Sequence, residues 1–148
     1  MYSGWPGMTA SYVLLSDTAR MPVKSHVGED AGFDLFVSRE TIIPPHEFMD
    51  VHLDIAIALP TGFFARIVGR SSTVRIWKLQ IQEGVIDAGY RGKLFVGTWN
   101  LRNEHVTVPI GTRLAQIIPQ KIEELHWAST DELPPSSRGV SGFGSTGT

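Results

Sequence analysis

Asp87 stands in the stretch GVIDAGYRG (84–92), an acid between a short apolar run and a turn. Two chemistries suit it. As an Asx-turn residue it bonds its own backbone. As a general base it takes a proton from water, which needs its carboxylate about 2.6–3.2 Å from that water in the bound complex. The stretch reads as a β-hairpin with Asp87 near its apex, whose mouth offers main-chain donors and acceptors to the edge of a base. Tyr90 is placed to wall off a sugar. A second stretch, GRSST (69–73), supplies a guanidinium, hydroxyls and small residues in a turn. That set holds a phosphate through backbone N–H, hydroxyl and arginine together, or it is simply a charged surface turn. Gln116, in GTRLAQIIPQ (111–120), sits among apolar neighbours. By alternation it faces solvent; otherwise it points into a site.

The end of the chain is different. Pro134-Pro135-Ser136-Ser137 is a stiff polar linker, followed by RGVSGFGSTGT (138–148), where Phe143 is the one large aromatic side chain. Such a segment builds no core. One outcome is a disordered tail. The other is an arm that orders over an anion, with glycines letting N–H groups converge on phosphate oxygens, Ser145 and Thr146 adding hydroxyls and Arg138 adding charge. Phe143 then stacks on a base.

Composition limits the alternatives. The 148 residues are 42% hydrophobic and 19% charged, which fits one domain with a core. There is no cysteine, so thiolate metal sites, cysteine nucleophiles and disulfides are excluded. The opening MYSGWPGMTA has no lysine, arginine or apolar run and does not read as a secretory leader. No apolar run is long enough for a bilayer, so the expectation is a cytoplasmic protein with no membrane contact. Net charge is −2, but residues 61–121 hold nine Lys/Arg against three Asp/Glu, while the flanking segments are acidic. A basic middle in a mildly acidic chain suits a local anion site better than a nucleic-acid groove; ordinary surface variation is the other reading.

The elements that must position these residues are strands. Val51, Leu53, Ile55, Ile57 and Leu59 alternate with His52, Asp54, Ala56 and Ala58, giving one apolar face and one polar or small face. Trp77, Leu79 and Ile81 alternate likewise, and FFARIV (63–68), KLFVGTW (93–99), HVTV (105–108) and TRLAQIIP (112–119) are further β-rich runs. Proline and glycine turns separate them. At most one helical turn follows Ser71. The pattern is that of an all-β sandwich, jelly roll or barrel over residues 1–133, with 134–148 as a flexible arm. The five histidines, His26, His46, His52, His105 and His126, have no metal-ligand spacing and read as surface or core residues.

Taken in order, AGFDL (31–35), GRSST (69–73), GVIDAGYRGKLFVGTWN (84–100), GTRLAQIIP (111–119) and RGVSGFGSTG (138–147) closely resemble the five motifs of the trimeric dUTPase family. The resemblance runs from about residue 12 to the end. It implies an all-β jelly-roll (β-clip) subunit, a homotrimer with active sites at subunit interfaces, and a C-terminal arm that closes over a site built largely by other subunits. It implies hydrolysis of dUTP to dUMP and pyrophosphate with Mg²⁺ on the triphosphate. By position, Asp87 activates the water and Tyr90 packs beneath the deoxyribose, leaving no room for a 2′-hydroxyl. The backbone around Val85, Ile86 and Phe95 reads the uracil. Arg70, Ser71 and Ser72 hold phosphates from a neighbouring subunit, and Gln116 contacts the phosphate chain. Arg138, Gly144, Ser145 and Thr146 bind the terminal phosphates and Phe143 covers the base. Asp34 resembles the first-motif aspartate that organises the metal's water shell and the second-motif arginine; no side chain is expected to ligate the metal directly.

Departures from the family pattern are Ser72 and Ser141, where glycine is common, and Gln82-Glu83 before Gly84. Two rival readings fit part of this pattern. A dCTP deaminase shares the fold and the spacing of Arg70, Ser71, Ser72 and Arg75, but needs a glutamate where this chain has Gly97. A regulatory or partner-binding protein on the same scaffold is the other. Intact Asp87 and an intact arm favour hydrolysis, and Gln82-Glu83 with the N-terminal MYSGWPGM are the surfaces where a partner would be sought.

Overall fold

The computed structural model describes residues 8–144. It is built of ten strands and one wide helical turn. In chain order the strands are β1 (Ser11–Leu14), β2 (Phe33–Phe36), β3 (Thr41–Ile43), β4 (Phe48–Ala58) and β5 (Phe63–Gly69). After the helical turn Thr73–Trp77 come β6 (Leu79–Ile81), β7 (Gly84–Ile86), β8 (Lys93–Asn100), β9 (Val106–Val108) and β10 (Arg113–Lys121). One sheet runs β1-β4-β8-β6, a second runs β2-β10-β5-β7, and β3 pairs with β9. Two sheets with antiparallel neighbours and crossing connections give the jelly-roll arrangement expected from the alternating runs.

The apolar phases of the strands meet between the sheets. Val51, Leu53 and Ile55 from β4 and Leu94 and Val96 from β8 are buried against Leu35, Ile67, Leu114 and Ile117 of the other sheet. Burying a side chain of this size contributes roughly 1.5–3 kcal/mol, so the core fixes the register of every strand that carries a site residue.

Three local expectations need correction. Trp77 belongs to the helical turn, and β6 begins at Leu79. The turn ends because Lys78 takes a left-handed conformation (φ 55°) and its N–H closes on the Thr73 carbonyl. Second, residues 84–92 are not a paired hairpin. β7 pairs with β5 and β8 pairs with β4 and β6, so the chain turns a corner from one sheet to the other at Asp87. The apolar run and turn signal are right, but the core needs both sheets covered, and β5 offers the free edge.

Third, Asp54 does not share the outward face of His52. The β4–β8 register runs to His52↔Phe95, shifts, and resumes at Ala56↔Lys93. Asp54 lies in that bulge at φ 51° and is only 2% exposed. Its carboxylate accepts from Ser38 Oγ at 2.9 Å and from Arg39 Nε and Nη2 at 3.1 and 3.0 Å. Burial by itself pushes this carboxyl up. The hydrogen bonds from Arg39, Ser38 and Ser16 and the charge of Arg39 outweigh it, leaving the group below its ordinary value of 3.8.

Beyond β10 the chain from 122 to 144 forms no strand. Leu125, Trp127 and Leu133 on it are 69%, 87% and 84% exposed. No helix among the described residues is long and apolar enough to cross a membrane.

Candidate active site

The phosphate-type residues converge through β2, β5 and β10. Asp34 on β2 lies opposite Gln116 on β10, and Gln116 lies opposite Val68 on β5. Just past β5, Arg70 turns back: its Nε meets Asp34 Oδ1 at 3.1 Å, and its Nη1 donates to the Arg113 carbonyl at 3.0 Å. Arg113 Nη1 meets the other Asp34 oxygen at 2.9 Å. Asp34 is 15% exposed at its side chain, so the two arginines are held by a carboxylate partly withdrawn from water. Gln116 Nε2 donates to the Gly69 carbonyl at 3.1 Å, fixing the residue before Arg70.

The helical turn completes the cradle. Thr73 Oγ1, buried, donates to the Leu114 carbonyl at 2.7 Å, and Thr73 N–H donates to the Arg70 carbonyl at 3.0 Å. Ser71 is exposed beside this pinned turn. Ser72 has φ −71° and ψ −26°, an ordinary right-handed conformation, so serine replaces glycine there without strain. Wide helical turns of this kind recur at functional sites.

Asp87 occupies the sheet-to-sheet corner. The Tyr90 N–H closes on the Asp87 carbonyl at 3.1 Å, a tight turn that holds the side chain outward. Asp87 is exposed, and among the described residues its carboxylate has no hydrogen-bond or ion-pair partner. Tyr90 Oη donates to the Lys93 carbonyl at 2.9 Å, so the ring lies flat against the returning chain. A Cβ on Gly92 would sit 2.3 Å from that hydroxyl; only glycine lets the ring lie there.

Beside this corner β8 has an open edge. Gln82 N–H donates to the Gly97 carbonyl at 2.8 Å, which shows that Gly97 presents its peptide groups toward β6. Phe95, two residues earlier, presents its own N–H and C=O to the same side, where β6 has ended at Ile81. Val85 is 62% exposed and Ile86 half-buried. Main-chain groups are thus available to a planar, hydrogen-bonding ligand.

Glu83 pairs with Arg66 on β5, opposite Val85. The unusual acid is therefore tied down on the surface. Gly97 decides against a glutamate: a Cβ there would lie 2.9 Å from the Phe48 ring.

Arg138 Nε donates to the Ser141 carbonyl, curling the arm on itself. Ser141 has no left-handed backbone, so it too replaces glycine without strain. Phe143 (φ 46°) and Gly144 (φ 85°) are exposed. Ser145 and Thr146 lie outside the described residues, as do residues 1–7 of the N-terminal stretch.

The structure therefore brings together Asp34, Arg70 and Gln116, and adds Arg113, which the sequence reading did not single out. It places Asp87, Tyr90, Val85, Ile86 and Phe95 in a second group. Among the described residues no hydrogen bond or ion pair joins the two groups. Also among the described residues, no three His, Cys, Asp or Glu side chains are arranged to hold a metal.

Residues 18–147 match the dUTPase family. The chain belongs to that family. A deoxyuridine 5′-triphosphate nucleotidohydrolase from Solanum lycopersicum is 38% identical over 90% of this chain and 78% of its own length. A probable one from Schizosaccharomyces pombe is 35% identical over 90% of this chain and 94% of its own. The dUTPase of Staphylococcus bacteriophage 80alpha, solved with dUPNHPP, superposes with a TM-score of 0.85 at 29% identity, covering 95% of this chain and 99% of that one. A dUTPase variant from phage phi11 of S. aureus, described with a structural Mg(II) ion, gives a TM-score of 0.80 at 25% identity, covering 86% of this chain and 99% of that one. A dUTPase jelly roll therefore carries the two groups of residues.

Proposed function

We propose that this chain hydrolyses dUTP to dUMP and pyrophosphate with Asp87 as the general base. The observation that carries the reading is the Asp87 carboxylate: exposed, unpaired among the described residues, and fixed at a corner beside an open main-chain edge. Water gives its proton to that carboxylate as its oxygen bonds the α-phosphorus. The bond from the α-phosphorus to the bridging oxygen breaks, and pyrophosphate leaves with the electron pair. No covalent nucleophile is needed; positioning, charge neutralisation and one base suffice.

The remaining roles are those that the family motifs imply. The free peptide edge at Phe95, with Val85 and Ile86, pairs with uracil. A cytosine leaves those groups mismatched, and sites built on buried hydrogen bonds reject such analogues by ~10⁴ or more. Tyr90 carries the deoxyribose and leaves no space for a 2′-hydroxyl. Arg70, Ser71, Ser72 and Gln116 hold phosphates, with Asp34 and Arg113 aiming Arg70. Arg138, Phe143, Gly144, Ser145 and Thr146, in the arm 134–148, close the site. Asp34 is committed to two arginines, so the donor set suits a Mg²⁺ brought by the triphosphate and met through water. Such an ion neutralises phosphate charge and polarises the phosphoryl oxygens.

The same reading makes the molecule a homotrimer with shared sites. The separation of the Asp34–Arg70 group from the Asp87 group within one chain supports it, as do the bare Leu125, Trp127 and Leu133. The test is a nucleotide panel of dUTP, dCTP, dTTP and UTP with Mg²⁺, scoring pyrophosphate and ammonia separately. Pyrophosphate from dUTP alone supports the reading. Ammonia from dCTP, or equal turnover of all four, contradicts it.

A further inference from the structure

We infer that His52 is a positioning residue for base selection, setting the strand at Phe95 through its imidazole ring. The inference rests on the proposal that the Phe95 backbone reads the base. His52 and Phe95 are directly opposite on β4 and β8, at the last regular pair before the β4 bulge. The His52 carbonyl accepts from Ser38 N–H at 3.0 Å, so its peptide groups face away from β8. The pair is therefore a non-hydrogen-bonded one, in which the backbones come closest and the side chains do the joining. The two rings meet edge to face, with centroids 5.1 Å apart and planes at 72°. No peptide hydrogen bond from β4 holds Phe95, and β6 has already ended on the other side. The ring contact joins β4 to β8 at the residue whose N–H and C=O are free, beside the buried Leu94 and Val96 that anchor the strand.

The imidazole is about two-thirds buried. Its Nδ1 is buried without a hydrogen-bond partner and stands 3.8 Å from Asp54 Oδ1, too long for a hydrogen bond. Asp54 is in turn held by Ser38 and Arg39 inside the bulge. A polar atom left unsatisfied in this way costs stability. The ring contact, rather than the ring nitrogen, is what the inference rests on.

The test compares wild type, His52→Ala and His52→Phe for kcat and KM on dUTP and dCTP, with a thermal melt of each. His52→Ala is expected to raise KM for dUTP by about five- to tenfold, the loss of one aromatic contact, with kcat within about twofold. The preference for dUTP over dCTP should narrow. His52→Phe should restore both KM and preference, and melt no lower than wild type. Unchanged KM and preference in His52→Ala, in an enzyme that does discriminate, overturn this inference and leave the base-reading proposal standing. A His52→Phe variant as impaired as His52→Ala also overturns it. A wild type that treats dUTP and dCTP alike removes the proposal on which it rests.

Discussion

Asp34 has two arginine partners, and this determines what its loss should do. Its carboxylate spans Arg70 and Arg113 at 3.1 and 2.9 Å, so Asp34→Asn removes the charge that aims both. Arg70 would keep its bond to the Arg113 carbonyl but lose its orientation. We expect KM for dUTP to rise by about tenfold or more, the cost of one charge-assisted hydrogen bond, with the fold intact by circular dichroism; unchanged KM would separate Asp34 from phosphate binding. At this scale the sequence was partly legible. Asp34, Arg70, Asp87 and Tyr90 stand out because their motifs are long and ordered. Arg113 does not. It is one basic residue in an alternating strand, and its partner lies 79 positions away. Only the pairing of β2 with β10 brings the two together.

At the scale of the element, the β4 bulge shows where periodicity stops being informative. Alternation correctly buries Val51, Leu53, Ile55 and Ile57, but it assigns Asp54 to the polar face. The bulge turns Asp54 inward at φ 51° while its apolar neighbours keep their phase, and no spacing in the sequence marks the point. Burial of a charged carboxylate then has a pH signature. The folded value of Asp54 is below its ordinary 3.8, so the group contributes stability that is fully present above that value. The contribution is lost as pH falls below about 4 through the folded value. Urea midpoints measured at falling pH should drop over this interval, and the drop should be smaller in Asp54→Asn. Equal acid dependence in the two proteins would show that the Arg39–Asp54–Ser38 cluster does not stabilise the fold. The corner at Asp87 teaches a similar lesson. The turn residues were legible in GVIDAGYRG, but which sheet each flanking strand joins depends on β5 having a free edge.

At the scale of the whole molecule, one chain holds the components of a site without closing it. The Asp34–Arg70 cradle and the Asp87 corner have no hydrogen bond or ion pair between them among the described residues. On the proposed homotrimer, a neighbouring subunit would complete the site. Sedimentation at micromolar concentration should give three times 16.3 kDa, and a clean monomer with full activity would contradict shared sites. Removal of residues 138–148 should leave three subunits per particle and the melt unchanged while abolishing most turnover. Unchanged kinetics would make the tail passive. The arm's glycine pattern and Phe143 carry the expectation of a ligand-closing segment, which this truncation tests. The surface it would meet is not legible, because contacts between chains leave no period in one sequence.

The central claim is that a single carboxylate at the corner between the sheets draws the proton from the attacking water. Asp87→Asn keeps the size and turn geometry of the residue while removing its basicity. With saturating dUTP and Mg²⁺, its pyrophosphate release should fall by about 10²–10⁴, while binding of a non-hydrolysable dUTP analogue stays within about twofold of wild type. Near-normal turnover in Asp87→Asn would contradict the account.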